Sequence, residues 1–583
     1  MLSNNILQIV IYFIILFACI KPVGSYMAYI YQDNRIKFLN PIENSIYWCC
    51  GVNSKENMDW KRYMFSMLAF NIFSFIVVYV LQVVQNHLPL NPAHMPAVSS
   101  TIAFNTAVSF VSNTNWQAYG GETTMSYFTQ MVLLTVQNFV SAATGMSILM
   151  AFIRGLAWRE TKNLGNFWRD LVRSTLYILL PLSIILAIIL ISQGVIQNFD
   201  AYKQTSLIDP VSYQVTAQDH GQHKVYNKQV TTQTIPMGPV ASQTAIDEIG
   251  SNGGGYFNVN SSHPFQNPTP ITNFLEMLVI LLIPAALCYT YGVMINDKRQ
   301  GWAILTAMFI IFIPLLYLCI HAEQHANPLL AHLGINSSAG NMEGKEVRFG
   351  AMNSALWTTM ATAVSNGSVN SMIDSYMPMG TLVPLLLMQL GEVVFGGVGC
   401  GLYGMLVFVI LTVFIVGLMV GRTPEYLGKK IEAYDMKLIA WMVLIMPITV
   451  LITTAIALLL GPDISAVHNP GARGFMEILY AMTSMGNNNG SAMAGLNSDT
   501  NYFTIVGGIV MVIGRYALAI PILMLAGSLG LKKRIPVNSG TLATHNLTFI
   551  ILLVCVVVVI GALTFLPSLA LGSIVNYLQL WGY

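Results

Sequence analysis

The chain has 583 residues, of which 55% are hydrophobic and only 9% charged, with mean hydropathy +0.61 and a formal net charge of +2. Soluble domains carry about 25% charged residues, so a protein of this size could not solvate its surface with so few, and lipid must cover much of it. No nucleic-acid partner is expected: the longest basic run, Lys532-Lys533-Arg534, borders an apolar segment, as a membrane-side anchor does.

Spanning a bilayer as a helix takes about 20 apolar residues. The first candidate, 5–23, has no Lys or Arg before its apolar run, and Lys21 follows it, so it reads as a retained helix rather than a signal peptide. The others fall near 63–83, 126–151, 172–194, 271–293, 300–320, 381–420, 438–461, 503–528 and 546–568. An even number, ten, puts both termini on one side. With the N-terminus outside, twenty of the 27 Lys and Arg fall on inner segments, six on outer ones and Arg515 within a helix, the bias expected of this topology. The seven cysteines show no CxxC spacing, so neither a disulfide framework nor a zinc site is expected.

Four outer segments hold a second apolar stretch too short to cross, at 97–111, 241–250, 351–364 and 472–485. Each ends in a small, polar cluster: Val111-Ser112-Asn113-Thr114-Asn115, Gly250-Ser251-Asn252-Gly253-Gly254, Val364-Ser365-Asn366-Gly367-Ser368 and Met485-Gly486-Asn487-Asn488-Asn489-Gly490. A string of apolar or Gly, small residue, Asn thus recurs every 115–140 residues or so, an internal repeat. The expected fold is an all-α integral membrane protein in which four parallel helix, pore-loop, helix repeats enclose one pore. The chain divides into a first helix and loop (1–62), repeats at 63–153, 172–295, 300–420 and 438–528, and a last helix (546–583).

Non-helical backbone at membrane depth is tolerated only where it is buried or lines a water-filled cavity. Filters that replace a cation's hydration shell use backbone carbonyls, and aligning them requires left-handed residues, which Gly and Asn supply at least cost. Candidate filter residues are therefore Ser112, Asn113, Thr114, Asn115, Gln117, Ser251, Asn252, Gly253, Gly254, Ser365, Asn366, Gly367, Ser368, Gly486, Asn487, Asn488, Asn489 and Gly490. The C-terminal, partly negative ends of the short helices point at them. Glu122, Asp374 and Asp499 follow three of the clusters and are candidates for concentrating cations at the mouth.

The stretch 381–420 is twice the length a bilayer needs, and Gly391, Gly396, Gly397, Gly399, Gly401 and Gly404 crowd its centre. It reads as a broken helix whose loop, with Glu392, Gly396, Gly397, Gly399 and Gly401, forms a gate or ion exit. Arg515, in Gly514-Arg515-Tyr516, is a charge at membrane depth. Neither a phosphate-binding G-x-x-x-x-G-K-[ST] loop nor a Ser/His/Asp or H-E-x-x-H set is present, so no catalytic site is expected.

The strings Lys21-Pro22-Val23-Gly24-Ser25-Tyr26-Met27, Asn113-Thr114-Asn115-Trp116-Gln117, Gly250–Gly255, Ser365-Asn366-Gly367, Gly391–Gly404, Gly421-Arg422-Thr423-Pro424-Glu425-Tyr426 and Asn487-Asn488-Asn489-Gly490-Ser491 resemble the potassium-binding A subunit of bacterial Kdp-type potassium-pumping ATPases. The resemblance covers essentially the whole chain. It implies a potassium ion as the bound species and, as partners, a P-type ATPase subunit that hydrolyses ATP, small accessory subunits and membrane lipid. It also implies a place in the bacterial inner membrane and ion exit toward the ATPase subunit. The segment 195–240 is longer than the resemblance leads one to expect. The rival reading is a self-contained potassium channel or symporter of related four-repeat design.

Overall fold

The structure is a computed structural model describing residues 2–32, 34, 36–219, 222–336, 338–391, 393–460, 466–536 and 542–582; Glu392 lies outside them. Among the described residues ten helices are long and apolar enough to cross a membrane. Their outward faces are apolar: Phe65, Phe73, Ile188, Trp441, Ile452 and Leu563 are all more than half exposed, which only lipid would tolerate.

In chain order the elements are α1 (Leu2–Tyr31), α2 (Trp60–Val83), α3 (Ser100–Val111), α4 (Thr129–Ala157) and α5 (Phe167–Ser192). A hairpin of β1 (Lys203–Asp219) and β2 (Gln222–Ile235) follows, then α6 (Val240–Ile249), α7 (Pro270–Met294), α8 (Lys298–Gln324) and α9 (Gly350–Val364). The chain continues with α10 (Pro378–Gln389), α11 (Cys400–Met419), α12 (Ala433–Leu459), α13 (Gly471–Gly486), α14 (Tyr502–Leu531) and α15 (Leu547–Leu569). The short helices α3, α6, α9 and α13 stand within one to three residues of the four stretches read from sequence. The long 381–420 stretch is two helices, α10 and α11, separated by irregular backbone.

Helix α1 packs along α7, with Tyr12 Oη donating to Met277 O (3.0 Å) and Thr290 Oγ1 to Gly24 O (3.0 Å). Helices α4 and α14 approach so closely that a side chain on Gly155 would lie 2.5 Å from Ala526 O, bringing the first and fourth repeats together. At the end of the bundle away from the short helices, charges are consumed internally. Arg154 binds Asp170 through both terminal nitrogens (2.6 and 2.8 Å), and Arg173 binds Glu43 (3.1 Å). Lys429 Nζ donates to Gly155 O (2.7 Å) and Leu529 O (2.8 Å), satisfying carbonyls near the ends of both α4 and α14.

The largest departure from an all-helical chain among the described residues is a hairpin; two short strand pairs, Met58–Asp59 with Asn163–Gly165 and Glu425–Tyr426 with Lys429–Lys430, are the others. Within 195–240, the β-branched and aromatic residues Thr205, Val211, Tyr213, Val230, Thr232 and Thr234 form an antiparallel hairpin, none of whose described side chains is buried. Tyr202 Oη on Glu122 O (2.9 Å) and Tyr127 Oη on Asp200 O (2.7 Å) tie its base to the bundle.

Candidate functional site: a ring of four loops

Each short helix ends in the same way. The backbone N–H of Thr114, Asn252, Asn366 and Asn489 donates to the carbonyl five residues earlier, on Ser109, Asp247, Ala361 and Ser484 (2.9, 3.0, 2.8 and 2.8 Å). The residue before each, Asn113, Ser251, Ser365 and Asn488, is left-handed (φ 65°, 47°, 59° and 51°). This is the Schellman ending of a helix, built here on Asn and Ser where Gly is usual.

These bonds fix the register of the repeats. The string of apolar, small, Asn aligns repeats 2 and 3 correctly but slips by one residue in repeat 1 and by two in repeat 4. The true equivalents are Thr114, Asn252, Asn366 and Asn489, followed by Asn115, Gly253, Gly367 and Gly490. At that last position Asn115, Gly253 and Gly490 are left-handed again (φ 55°, 86° and 101°). Alternating handedness over four residues turns successive peptide planes toward one side, the geometry a line of carbonyl ligands needs. Ser112, Gly250 and Asn487 are the residues that follow the last helical turn. Gly486 is the last residue of α13 and faces Met446 and Val450 of α12, away from the other loops.

The loops close on one another in chain order. Loops 1 and 2 are joined by Asn115 Nδ2 to Gly253 O (2.8 Å), Gln117 Nε2 to Gly255 O (3.0 Å) and Asn252 Nδ2 to Asn113 Oδ1 (2.7 Å). A side chain on Gly253 would collide with the backbone of Gly367, so loops 2 and 3 touch; beside that contact Gly254 lies against Asn115. Loops 3 and 4 share Ser365 Oγ to Asn487 O (2.9 Å) and Asn489 Nδ2 to Asn366 O (3.2 Å). Loop 4 returns to loop 1 through Asn488 Nδ2 to Thr114 Oγ1 (2.8 Å), with Gly490 pressed against Thr114 O. Repeats 3 and 4 also share an Asn-Gly-Ser turn, in which Ser368 N bonds Asn366 Oδ1 (2.7 Å) and Ser491 N bonds Asn489 Oδ1 (3.0 Å). Equivalent aromatics of α9 and α13 brace the two serines: Trp357 Nε1 donates to Ser368 O (3.0 Å) and Tyr480 Oη bonds Ser491 Oγ (2.7 Å).

The mouth is less acidic than the sequence suggests. Asp374 is paired with Arg473 (3.1 Å), Glu122 accepts Asn258 N (2.8 Å), and Asp499 is exposed. A segment sequence reasoning passed over, 257–267, covers loop 2. Its His263 stacks on Phe257 (3.8 Å between centroids) and accepts the backbone N–H of Phe265 on Nδ1 (3.1 Å). Burial first, and the Arg348 cation second, push this imidazole down to about 4.

On the opposite side of the ring lies the break between α10 and α11. Gly396 N donates to Ala363 O at the end of α9 (2.9 Å), and Val398 O and Gly399 pack on Gly145 of α4. Phe395 is left-handed (φ 65°) and its ring is held between Phe309 and Phe312 at 5.0 and 5.5 Å. Arg515 from α14 donates to Ser141 O (3.0 Å) and reaches Cys400 Sγ. Ser141 Oγ in turn donates to Asn113 Oδ1 (2.8 Å), so Arg515, the start of α11 and loop 1 are linked. A cavity of about 70 Å³ beside the break is lined by Gln389, Gly391, Cys400, Asn488 and Arg515, touching the ring at one end and α12 and α15 at the other.

A ring of buried, neutral dipoles at the ends of four helices can coordinate a dehydrated monovalent cation. The fold is shared with the potassium transporter TrkH from Vibrio parahaemolyticus, at TM-score 0.50 and 14% identity over 78% of this chain and 83% of that one. A potassium-transporting ATPase potassium-binding subunit of Methylococcus capsulatus is 54% identical over the full length of both chains. One of Herpetosiphon aurantiacus is 55% identical, again over the whole of both. The family described as potassium-transporting ATPase A subunit matches residues 10–578, and the chain belongs to that family.

Proposed function

We propose that this chain binds potassium in the ring formed by residues 112–117, 251–254, 365–368 and 487–490 and passes it inward as the ion-translocating subunit of an ATP-driven uptake pump. The observation that carries the reading is the closed ring of four equivalent Schellman endings, hydrogen-bonded at three seams and in backbone contact at the fourth. Full-length membership of the A-subunit family favours a pump subunit over a self-contained channel or symporter of the same design. In this reading a P-type ATPase subunit and smaller accessory subunits supply ATP hydrolysis and assembly. The chain lies in the bacterial inner membrane with its N-terminus outside, as the Lys and Arg distribution supports.

The four repeats keep the boundaries given above. The break at 390–399, with Gly396, Gly397, Gly399 and Gly401, acts as the gate beneath the filter, and the cavity beside Arg515 is the first step of the exit route. A pump must not leak, so the break blocks the pore at rest.

The test is reconstitution. The full chain alone in liposomes is expected to bind potassium without hydrolysing ATP, and uphill uptake is expected only when the ATPase subunit is added. ATP-driven accumulation by this chain alone would overturn the subunit assignment. Potassium binding that ignores substitutions in all four loops would overturn the ring.

A further inference from the structure

Two adjacent carboxylates of α6, Asp247 and Glu248, lie behind the ring and not in it, and both are buried. Glu248 Oε2 accepts from Asn366 Nδ2 (3.0 Å) and from Ser368 Oγ (3.0 Å), both in loop 3. Asp247 Oδ1 accepts from Asn138 Nδ2 of α4. Asn138 Oδ1 accepts from Asn115 Nδ2 (2.7 Å) in loop 1, the same amide that reaches Gly253 O (2.8 Å). One short helix therefore grips the loop on each side of its own.

The spacing explains how. Successive residues on an α-helix point about 100° apart, and in a ring of four the two neighbours of any loop are separated by a comparable angle as seen from the helix behind it. A pair at i and i+1 near the last turn is thus splayed toward both. No other repeat carries acids here: the equivalents of Asp247 are Ser109, Ala361 and Ser484, and those of Glu248 are Phe110, Thr362 and Met485. The two residues Glu248 holds flank Gly367, where a side chain would lie 2.6 Å from Asn489 O. Gly367 is also the residue on which Gly253 closes. Loop 3 is therefore packed tightly against the loops on both sides of it.

We infer that Asp247 and Glu248 form a bracket that sets the spacing of the ring, and that Glu248 is a positioning residue for ion discrimination through its two bonds to loop 3. This rests on the reading of the ring as a potassium filter. Filters discriminate because their oxygens do not relax onto a smaller ion, and releasing Asn366 and Ser368 removes that restraint where the loops meet.

The test uses the full-length chain, titrated separately with KCl, RbCl and NaCl, in Glu248→Ala, Glu248→Gln and Ser368→Ala, with Gly490→Ala as reference. Glu248→Ala is expected to weaken potassium binding about tenfold, the loss of two buried bonds, and to bring the potassium-to-sodium ratio toward unity. Glu248→Gln keeps an acceptor oxygen at the same reach and is expected to stay within about threefold of the parent. Ser368→Ala removes one of the two bonds and falls between them, and adding it to Glu248→Ala costs little more. If Glu248→Ala does not fold, Ser368→Ala decides: an unchanged ion ratio overturns the bracket. Glu248→Gln as damaging as Glu248→Ala also overturns it, because charge and not positioning is then at work. Should Gly490→Ala relax selectivity while Glu248→Ala and Ser368→Ala do not, the bracket falls and the filter stands; no response in any of the three takes the filter with it.

Discussion

Among the described residues, irregular backbone lies within the bundle of apolar helices in two regions, the ring of four loops and the break between α10 and α11. The ring is held by side chains that bond the backbone of the next loop, as Asn115 does to Gly253 and Ser365 to Asn487. Polar groups far from water gain most from such bonds and lose most without them. The break is held by packing: Gly399 on Gly145, and Phe395 between two other phenyl rings. Packing with few hydrogen bonds, chiefly Gly396 N to Ala363 O and the Arg515 link, can be exchanged for a second arrangement at smaller cost than in the ring, where loops 1 and 4 are each bonded to both neighbours and loops 2 and 3 meet backbone to backbone. In the function proposed above, the ring is a rigid selector and the break a compliant barrier, the combination a pump needs.

The comparison breaks first at Gly490. Its φ of 101° suits only glycine, and a methyl there would collide with Thr114 O. Gly490→Ala is expected to lower potassium affinity by about a hundredfold, the strain and the displaced loop together costing roughly 2–3 kcal/mol. Equilibrium titration checks it, and parental affinity in a folded variant would mean that loop 4 does not contact the ion.

The second test contrasts two glycines of the break. Gly399 is left-handed (φ 90°), and a side chain would run into the backbone of Gly145. Gly397 is not left-handed, and its nearest neighbours would be at 3.7 and 3.9 Å. Gly399→Ala is therefore expected to raise passive potassium leak in proteoliposomes about tenfold while binding selectivity stays intact. Gly397→Ala is expected to change leak by less than about twofold, because its methyl would make only ordinary van der Waals contacts. Equal leak from both variants would show that the packing on Gly145 does not hold the barrier.

Much of this was legible in the residues. Length and hydropathy located the ten spans, and the short apolar stretches could only be re-entrant, so α3, α6, α9 and α13 fell within a few residues of expectation. Six glycines predicted the break, and the structure has it at 390–399. The register of the repeats was not legible, because the left-handed position accepts Asn or Ser equally and similar letters at neighbouring positions mimic alignment. Only the recurring bond to the carbonyl five residues back resolves it. Asp247 and Glu248 were missed because their partners lie more than a hundred residues away, on other repeats. The hairpin at Lys203–Ile235 read only as a long loop, since none of its described side chains is buried to impose an apolar alternation.

The smallest expected effect concerns pH and bears on the ring side alone. His263 sits in the segment over loop 2, stacked on Phe257, with Nδ1 accepting a backbone N–H and the Arg348 cation nearby. Its folded value of about 4 lies below the ordinary 6.5, so between those values the unfolded chain binds a proton that the folded chain excludes. Stability is then fully present above about pH 6.5 and declines as pH falls toward 4. Protonation would turn the Nδ1 acceptor into a donor facing another donor and place a cation beside Arg348. The segment 257–267 should loosen first, so potassium affinity is expected to fall modestly between pH 6.5 and 4.5 while passive leak through the break is unchanged. His263→Gln, which does not titrate there, is expected to flatten that dependence. A parallel rise in leak over the same range would mean that the proton acts on the barrier as well, and the separation between a bonded selector and a packed gate would not hold.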